Sequence, residues 1–334
     1  MRNHLPLALL LVAAFTGARA QDASIHFLSG AEASAALTSS AEQSYYAQLQ
    51  VAEIRAKTGL ALQGVSLQVA REAAGKAYGA ATEDFSDDER AALLNAVESM
   101  QPVLVSRAPL YARTPWSFIK VHETLEGGLP HTRGDSIVLA TGVLRALVKA
   151  RGQGRFDHPS GVWALLLHEQ SHVLQRHNAQ LFAGLYTQVF GFRQVEIAPP
   201  EWLRLRRVID PDAPLVEWIF PVGKAATRHW VLPDLELSEL EHPRMPADFN
   251  VVAFEVHELE GNHWALDDAD MPARQTSLES LTDYVDTFPV KGEAFHPNEL
   301  AAEMLAEIIT GGKKQHPEHQ LWAQTELWAD QALR

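Results

Sequence analysis

The sequence predicts an α+β protein, and three observations carry that reading. Residues 38–112 show capped, helix-spaced apolar positions, residues 116–150 run strand, loop, strand, helix, and a β-rich stretch of alternating residues precedes a helical ending. With 46% hydrophobic and 21% charged residues over 334 positions, the chain has a globular composition and enough length for a sizeable core.

The first twenty residues read as a leader. Met1 to His4 carry one arginine, Leu5 to Phe15 form an apolar run, and Ala18-Arg19-Ala20 gives the small-x-small pattern of a signal-peptidase site. Cleavage after Ala20 and export, to the periplasm or the medium, are expected. The apolar run is too short to span a bilayer and no later stretch reaches spanning length, so stable membrane insertion is not expected. An exported chain with no cysteine uses neither disulfides nor thiol chemistry and draws its stability from packing. The formal charge of −14 argues against nucleic acid and anionic lipid as partners.

Residues 21–112 are read as a helical N-terminal region. Its clearest start is FSDDERAALLNAVESM, where Ser86 caps the first turn and Glu89, three residues on, completes a capping box. A second region, 113–334, opens with the strand WSFIKVHE (116–123) and the loop GGLPHTRGD (127–135). The β-rich SIVLAT (136–141) follows as the expected edge of a small sheet, and GVLRALVKA turns helical. A polar connector (151–161) leads into the helical VWALLLHEQSHVLQRHNAQLFAGLY. From about 190 to 290, segments such as NVVAFEVHELEGNHWAL predict a hairpin-rich insertion. HPNELAAEMLAEIITGG returns to helix, with Pro297 in the first turn and Gly311 as the stop.

The chemistry centres on HEQSH. Residues four apart on a helix lie one above the other, so His168 and His172 can aim their imidazoles at one point, as a tetrahedral zinc ion requires. Glu169 points about a quarter turn away, where it can meet a water on the metal without ligating it. Trp163, Leu165, Leu166, Leu167, Val173 and Leu174 leave little of this helix polar, which places it inside the protein. A catalytic zinc needs a third protein ligand. Glu299 and Glu303 are the candidates, four apart on one helical face with Ala302 and Ala306, opposite a packing stripe of Leu300, Met304, Leu305 and Ile308.

The order H-E-x-x-H and then N-E-x-x-A-E resembles the gluzincin clan of zinc metallopeptidases. The likeness extends over residues 116–185 and 296–312, where glycine-rich loop, strand, short helix and H-E-x-x-H-x-x-x-R-H are similar to the CAAX-prenyl-protease and HtpX-like group. The resemblance implies a zincin-like core of small sheet with edge strand, H-E-x-x-H helix and second glutamate helix. It also implies that Glu299 is the third ligand and that Glu303 bonds a ligand histidine. The chain departs from the group in its 127-position interval from His172 to Glu299, in lacking membrane segments, and in having glutamate rather than aspartate at Glu303.

The expected activity is hydrolysis of peptide bonds, with one zinc ion per chain and Glu169 as the base acting on the attacking water. Ser136, Val138 and Ala140 of the expected edge strand would pair with an extended peptide or protein substrate. Tyr284 is a candidate donor to the developing oxyanion, with His257, His263 and His296 as others. Two other readings fit the same residues. One is a non-enzymatic envelope chaperone or scaffold with zinc structural or absent, to which His177 or His296 would add a fourth ligand. The other is a zinc amidase acting on cell-wall peptides.

Overall fold

Ser86 accepts from the Glu89 amide and the Glu89 carboxylate accepts from the Ser86 amide at 2.8 Å, so the capping box starts the Asp87–Arg107 helix where its sequence places it. The computed structural model describes residues 24–156, 161–213, 216–224, 227–267, 275–290, 295–311 and 318–334. The expected leader at residues 1–20 lies outside them. Within them the protein is mixed α and β, with a helical N-terminal region and two sheets.

The first sheet joins β1 (Ile25–Phe27), β2 (Thr82–Glu83), β3 (Trp116–Val121), β4 (His131–Arg133) and β5 (Ser136–Ala140) in the order β1-β3-β5-β4, with β2 against β3. β3 is parallel to β1 and β5. β3 and β5 are buried along nearly all their length, and β5 reads as a near-continuous apolar run for that reason. Trp116, Phe118, Ile137 and Leu139 enter the main core, and Ile119, Val121, Val138 and Ala140 pack on the N-terminal helices around Leu37, Ile54 and Tyr78. Two strands, β1 and β2, come from the N-terminal region, so that region is built into the same sheet.

The expected loop at 127–135 contains a strand. His131, Thr132 and Arg133 pair antiparallel with Val138, Ile137 and Ser136 across a turn in which Gly134 takes φ +55°. The glycine and aspartate that read as loop make the turn of a hairpin, and the three residues before them are strand. β5 is therefore interior, between β3 and β4, and the edge is β4. This corrects the assignment of Ser136, Val138 and Ala140 as substrate-binding edge residues: all three are buried and their strand is paired on both sides.

The second sheet holds β6 (Arg193–Ile197), β7 (Glu217–Val222), β8 (His229–Leu237), β9 (Phe249–Glu258), β10 (His263–Leu266) and β11 (Gln275–Ser277). β10 pairs with both β6 and β9, closing a ring of strands within the expected insertion. One face encloses its own cluster around Ile219, Leu232, Phe254 and Trp264. Trp218, Phe220 and Leu235 join the main core.

Candidate metal centre

Two helices make the site. The motif helix, Gly161–His177, buries Trp163, Leu166, Leu167, Val173 and Leu174, and ends on Arg176 and His177, cations that suit a helix C-terminus. The second helix, Pro297–Thr310, packs against it, and Ala302 and Ala306, at most 1% exposed, share the face of Glu299, where small side chains allow close approach. Leu300, Met304, Leu305 and Ile309 are buried in the core, each apolar side chain removed from water contributing about 1.5–3 kcal/mol.

This packing brings His168, His172 and Glu299 together, with one ligand atom from each lying within 4.8 Å of the others. His168 Nε2 lies 3.3 Å from Glu299 Oε2, and His172 Nε2 lies 3.5 Å from Glu299 Oε1. The outer nitrogens show which atoms carry protons. His172 Nδ1 is 2.9 Å from Gln175 Oε1, and Gln175 Nε2 donates to the Asn298 carbonyl at 2.8 Å, which fixes the amide oxygen towards the histidine. His172 Nδ1 is therefore the donor and its Nε2 keeps a lone pair. His168 Nδ1 faces Glu303 Oε2 at 3.5 Å, and its Nε2 faces Glu299. Both His172 Nε2 and Glu299 Oε1 are buried without a hydrogen-bond partner.

His172 Nε2 and Glu299 Oε1 thus meet as acceptor and acceptor, an arrangement that asks for a cation or a proton between them. Without a metal ion, protons on the histidines take that place beside Glu299. Burial opposes ionisation of Glu299, but His172 and His168 outweigh it and hold the carboxyl down at about 2. Burial also disfavours a charge on His168, yet Glu299 and Glu303 raise it well above the usual histidine range. The donor set fits a divalent cation. It has two nitrogens and one carboxylate, and each histidine is oriented from behind by a polar side chain.

Glu169 is 4% exposed, and its Oε2 accepts from Thr132 Oγ1 at 3.0 Å. Burial first, then the charge of Asp212, pushes its carboxyl up to about 8 against the pull of His168. It shares a cavity with His168 and Glu299 whose other walls include Glu126, His131, Asp210 and Asp212, with about 510 Å³ of space partly open to solvent. Glu126 holds φ +48°, a left-handed conformation rare for glutamate, and is fixed there by Tyr45, Tyr78 and Lys57.

The true edge, β4, is covered beside the metal group. The Thr132 amide donates to Asp212 Oδ1 at 2.8 Å, and Arg176 Nη2 donates to the Thr132 carbonyl at 3.0 Å and to the Pro211 carbonyl at 2.7 Å. Asn298 Nδ2 holds the Asp212 carbonyl at 3.1 Å. The strap Ile209–Asp212 is thus tied to the edge and to both metal-site helices, and it occupies the main-chain groups that an added strand would need.

The remaining histidines and the tyrosine lie elsewhere. Tyr284 stands in an aromatic cluster with Phe192, Phe220 and Phe288 and does not line the cavity, which corrects its assignment as oxyanion donor. His257 and His263 are exposed and face Asp267 and Glu196. His177 is paired with Asp135. His296 caps the second helix, its Nδ1 accepting from the Asn298 amide at 3.1 Å. Sequence reasoning missed Gln175, Thr132, His131, Arg176 and Asp212. Gln175, three residues past His172 on the same helix, had a signal in its spacing; the others depend on the strap and hairpin. The chain matches no family model, no curated protein and no solved structure.

Proposed function

We propose that this chain is a zinc metallopeptidase whose ligands are His168, His172 and Glu299 and whose general base is Glu169. The observation that carries the reading is the convergence of one potential ligand atom from each of His168, His172 and Glu299 on one point, with the outer nitrogens of the two histidines facing Gln175 and Glu303. Zinc bound by this set acidifies a water molecule and polarises a carbonyl.

Glu169 follows a ligand histidine but is not a ligand; a cation at the triad would favour its ionised form over the neutral one that burial and Asp212 favour, leaving a carboxylate to take the proton of the attacking water and return it to the leaving amine. Thr132 Oγ1 holds that carboxylate at one oxygen, leaving the other for the water. Glu303 and Gln175 keep the imidazoles in register. With the Thr132 main chain engaged by Asp212 and Arg176, a peptide reaches the centre through the cavity and not as a strand added at that residue. The sheet, the motif helix and the second glutamate helix support the zincin-like, gluzincin reading of the core. Three converging ligands, with His177 paired to Asp135 and His296 outside the converging group, favour a catalytic over a structural ion. No helix among the described residues is long and apolar enough to cross a membrane, and we place the protein, on its leader, outside the cytoplasm.

The test compares wild type with Glu169→Gln, measuring zinc content and cleavage of an unstructured protein on the same samples. Both should hold one zinc per chain, and the variant should lose about 10²–10⁴-fold in rate, the usual contribution of general-base assistance. Equal rates would remove Glu169 from the chemistry, and a zinc-loaded wild type inert towards diverse peptides would overturn the peptidase reading.

A further inference from the structure

The cavity continues past the metal group to a second wall, and that wall has its own chemistry. His131 lines it and is 3% exposed. Its Nδ1 lies 3.2 Å from the Leu129 carbonyl, and a carbonyl only accepts, so the proton sits on Nδ1 and a lone pair on Nε2. Nε2 is buried and has no hydrogen-bond partner. A buried acceptor left unpaired is costly, and the group it lacks is an N–H or O–H donor.

Acids outnumber bases around the same wall. Glu126, Asp210 and Asp212 line it with Glu53 behind Lys57, against Lys57 on the lining and Arg176 beside Asp212, four carboxylates to two cations. Neither cation is available to a ligand. Lys57 is fully buried among Glu53, Glu126, Tyr45 and the Ile209 carbonyl, and Arg176 serves Thr132, Pro211 and Asp212. A divalent cation at the triad would balance Glu169 and Glu299, leaving the negative excess with the second wall. Val208, Leu235, Met245 and Phe249 add an apolar surface to the cavity.

We propose that this wall is a specificity subsite for a cationic side chain, a lysine or arginine of the peptide substrate. The proposal rests on the peptidase reading. The aliphatic stem of such a residue lies on the apolar surface, and its head donates to His131 Nε2 and faces Asp210 and Asp212. The whole-chain charge of −14 adds long-range attraction for basic segments.

The experiment uses the full-length, zinc-loaded Glu169→Gln protein, so that binding is read without turnover. Fluorescent peptides that differ at one position, as lysine, arginine, norleucine or glutamate, are titrated by anisotropy. Lysyl and arginyl peptides should bind about tenfold or more tighter than norleucyl, as expected for a desolvated charged hydrogen bond, with glutamyl weakest. Adding Asp210→Asn or, separately, His131→Phe should bring lysyl and norleucyl affinities within about threefold, chiefly by weakening the lysyl peptide. Two replacements at different points of the wall keep the result independent of one variant's folding, which thermal unfolding checks. Equal binding of lysyl and norleucyl peptides, or no binding of any peptide, overturns the subsite. Wild type that binds lysyl peptides with this preference yet leaves them intact would instead overturn the peptidase reading and keep the subsite.

Discussion

At the residue scale, the metal group depends on side chains of two kinds. His168→Ala, His172→Ala and Glu299→Ala each remove one of three ligands and should abolish stoichiometric zinc in metal analysis of the purified protein. Gln175→Leu and Glu303→Ala leave the ligands in place but release the imidazoles, and competition with a chromophoric chelator should show about 10–100-fold weaker binding. Loss of zinc in Glu303→Ala with retention in Glu299→Ala would exchange the two carboxylates. His296 gives a pH prediction. Burial pushes it down to about 4 from the ordinary 6.5, so the native state binds fewer protons than the unfolded chain in that interval. Its contribution is therefore present above pH 6.5 and lost as pH falls towards 4, on the order of 3 kcal/mol for a shift of this size. His296→Asn keeps a side-chain acceptor for the Asn298 amide, so urea midpoints at pH 7 and 4.5 should differ less in the variant than in wild type. An unchanged pH slope would remove His296 as a cause. The histidine pair was legible in the sequence because i, i+4 geometry is local, whereas Glu299 entered through a resemblance. His131 was not, since nothing near it in the chain tells that its Nε2 ends in a cavity.

At the element scale, the helices announced themselves and the short hairpin did not. Ser86, Glu89, Pro297 and Gly311 act through the backbone of their own turns, and each stands where its sequence placed it, Gly311 closing its helix at φ +96°. β4 has three residues and earns its pairing from β5, so its PHTRGD surroundings resembled loop. The mistaken edge followed, because β5 looks like an edge only if β4 is absent. The strap Ile209–Asp212 gives the testable consequence. Asp212→Ala takes the acceptor from the Thr132 amide and a partner from Arg176, while β4 keeps its bonds to β5. Losing one buried hydrogen bond to a charged group costs about 1.5–3 kcal/mol, so hydrogen exchange in a peptide covering residues 129–135 should accelerate by tenfold or more at one amide, with β3 unchanged. Unaltered exchange there would mean that the strap does not hold the edge.

At the scale of the whole molecule, the α+β class and the helical N-terminal region could be read from periodicity, since pattern fixes which face of each element is buried. How distant segments meet could not, because the contacts concerned are single polar residues separated by many positions. Lys57 is the clearest case. A lysine on a short helix reads as surface, yet it is fully buried, with Nζ 3.2 Å from Glu53 Oε1, 3.4 Å from Glu126 Oε2 and 2.7 Å from the Tyr45 hydroxyl, and donating to the Ile209 carbonyl at 2.5 Å. It binds the N-terminal helices, the left-handed Glu126 turn and the strap into one body around the cavity. Lys57→Met keeps much of the volume but strands two carboxylates in low dielectric, which should cost about 3–5 kcal/mol. Adding Glu126→Gln to Lys57→Met removes one stranded charge, and so should recover part of the loss, whereas Glu126→Gln alone should destabilise. The measurement is a urea double-mutant cycle, followed by far-ultraviolet dichroism for the helices and by tryptophan fluorescence. Coincident transitions in wild type would show one cooperative unit, and a Lys57→Met cost below about 1 kcal/mol, the size typical of an exposed pair, would show that the joint is held by packing alone.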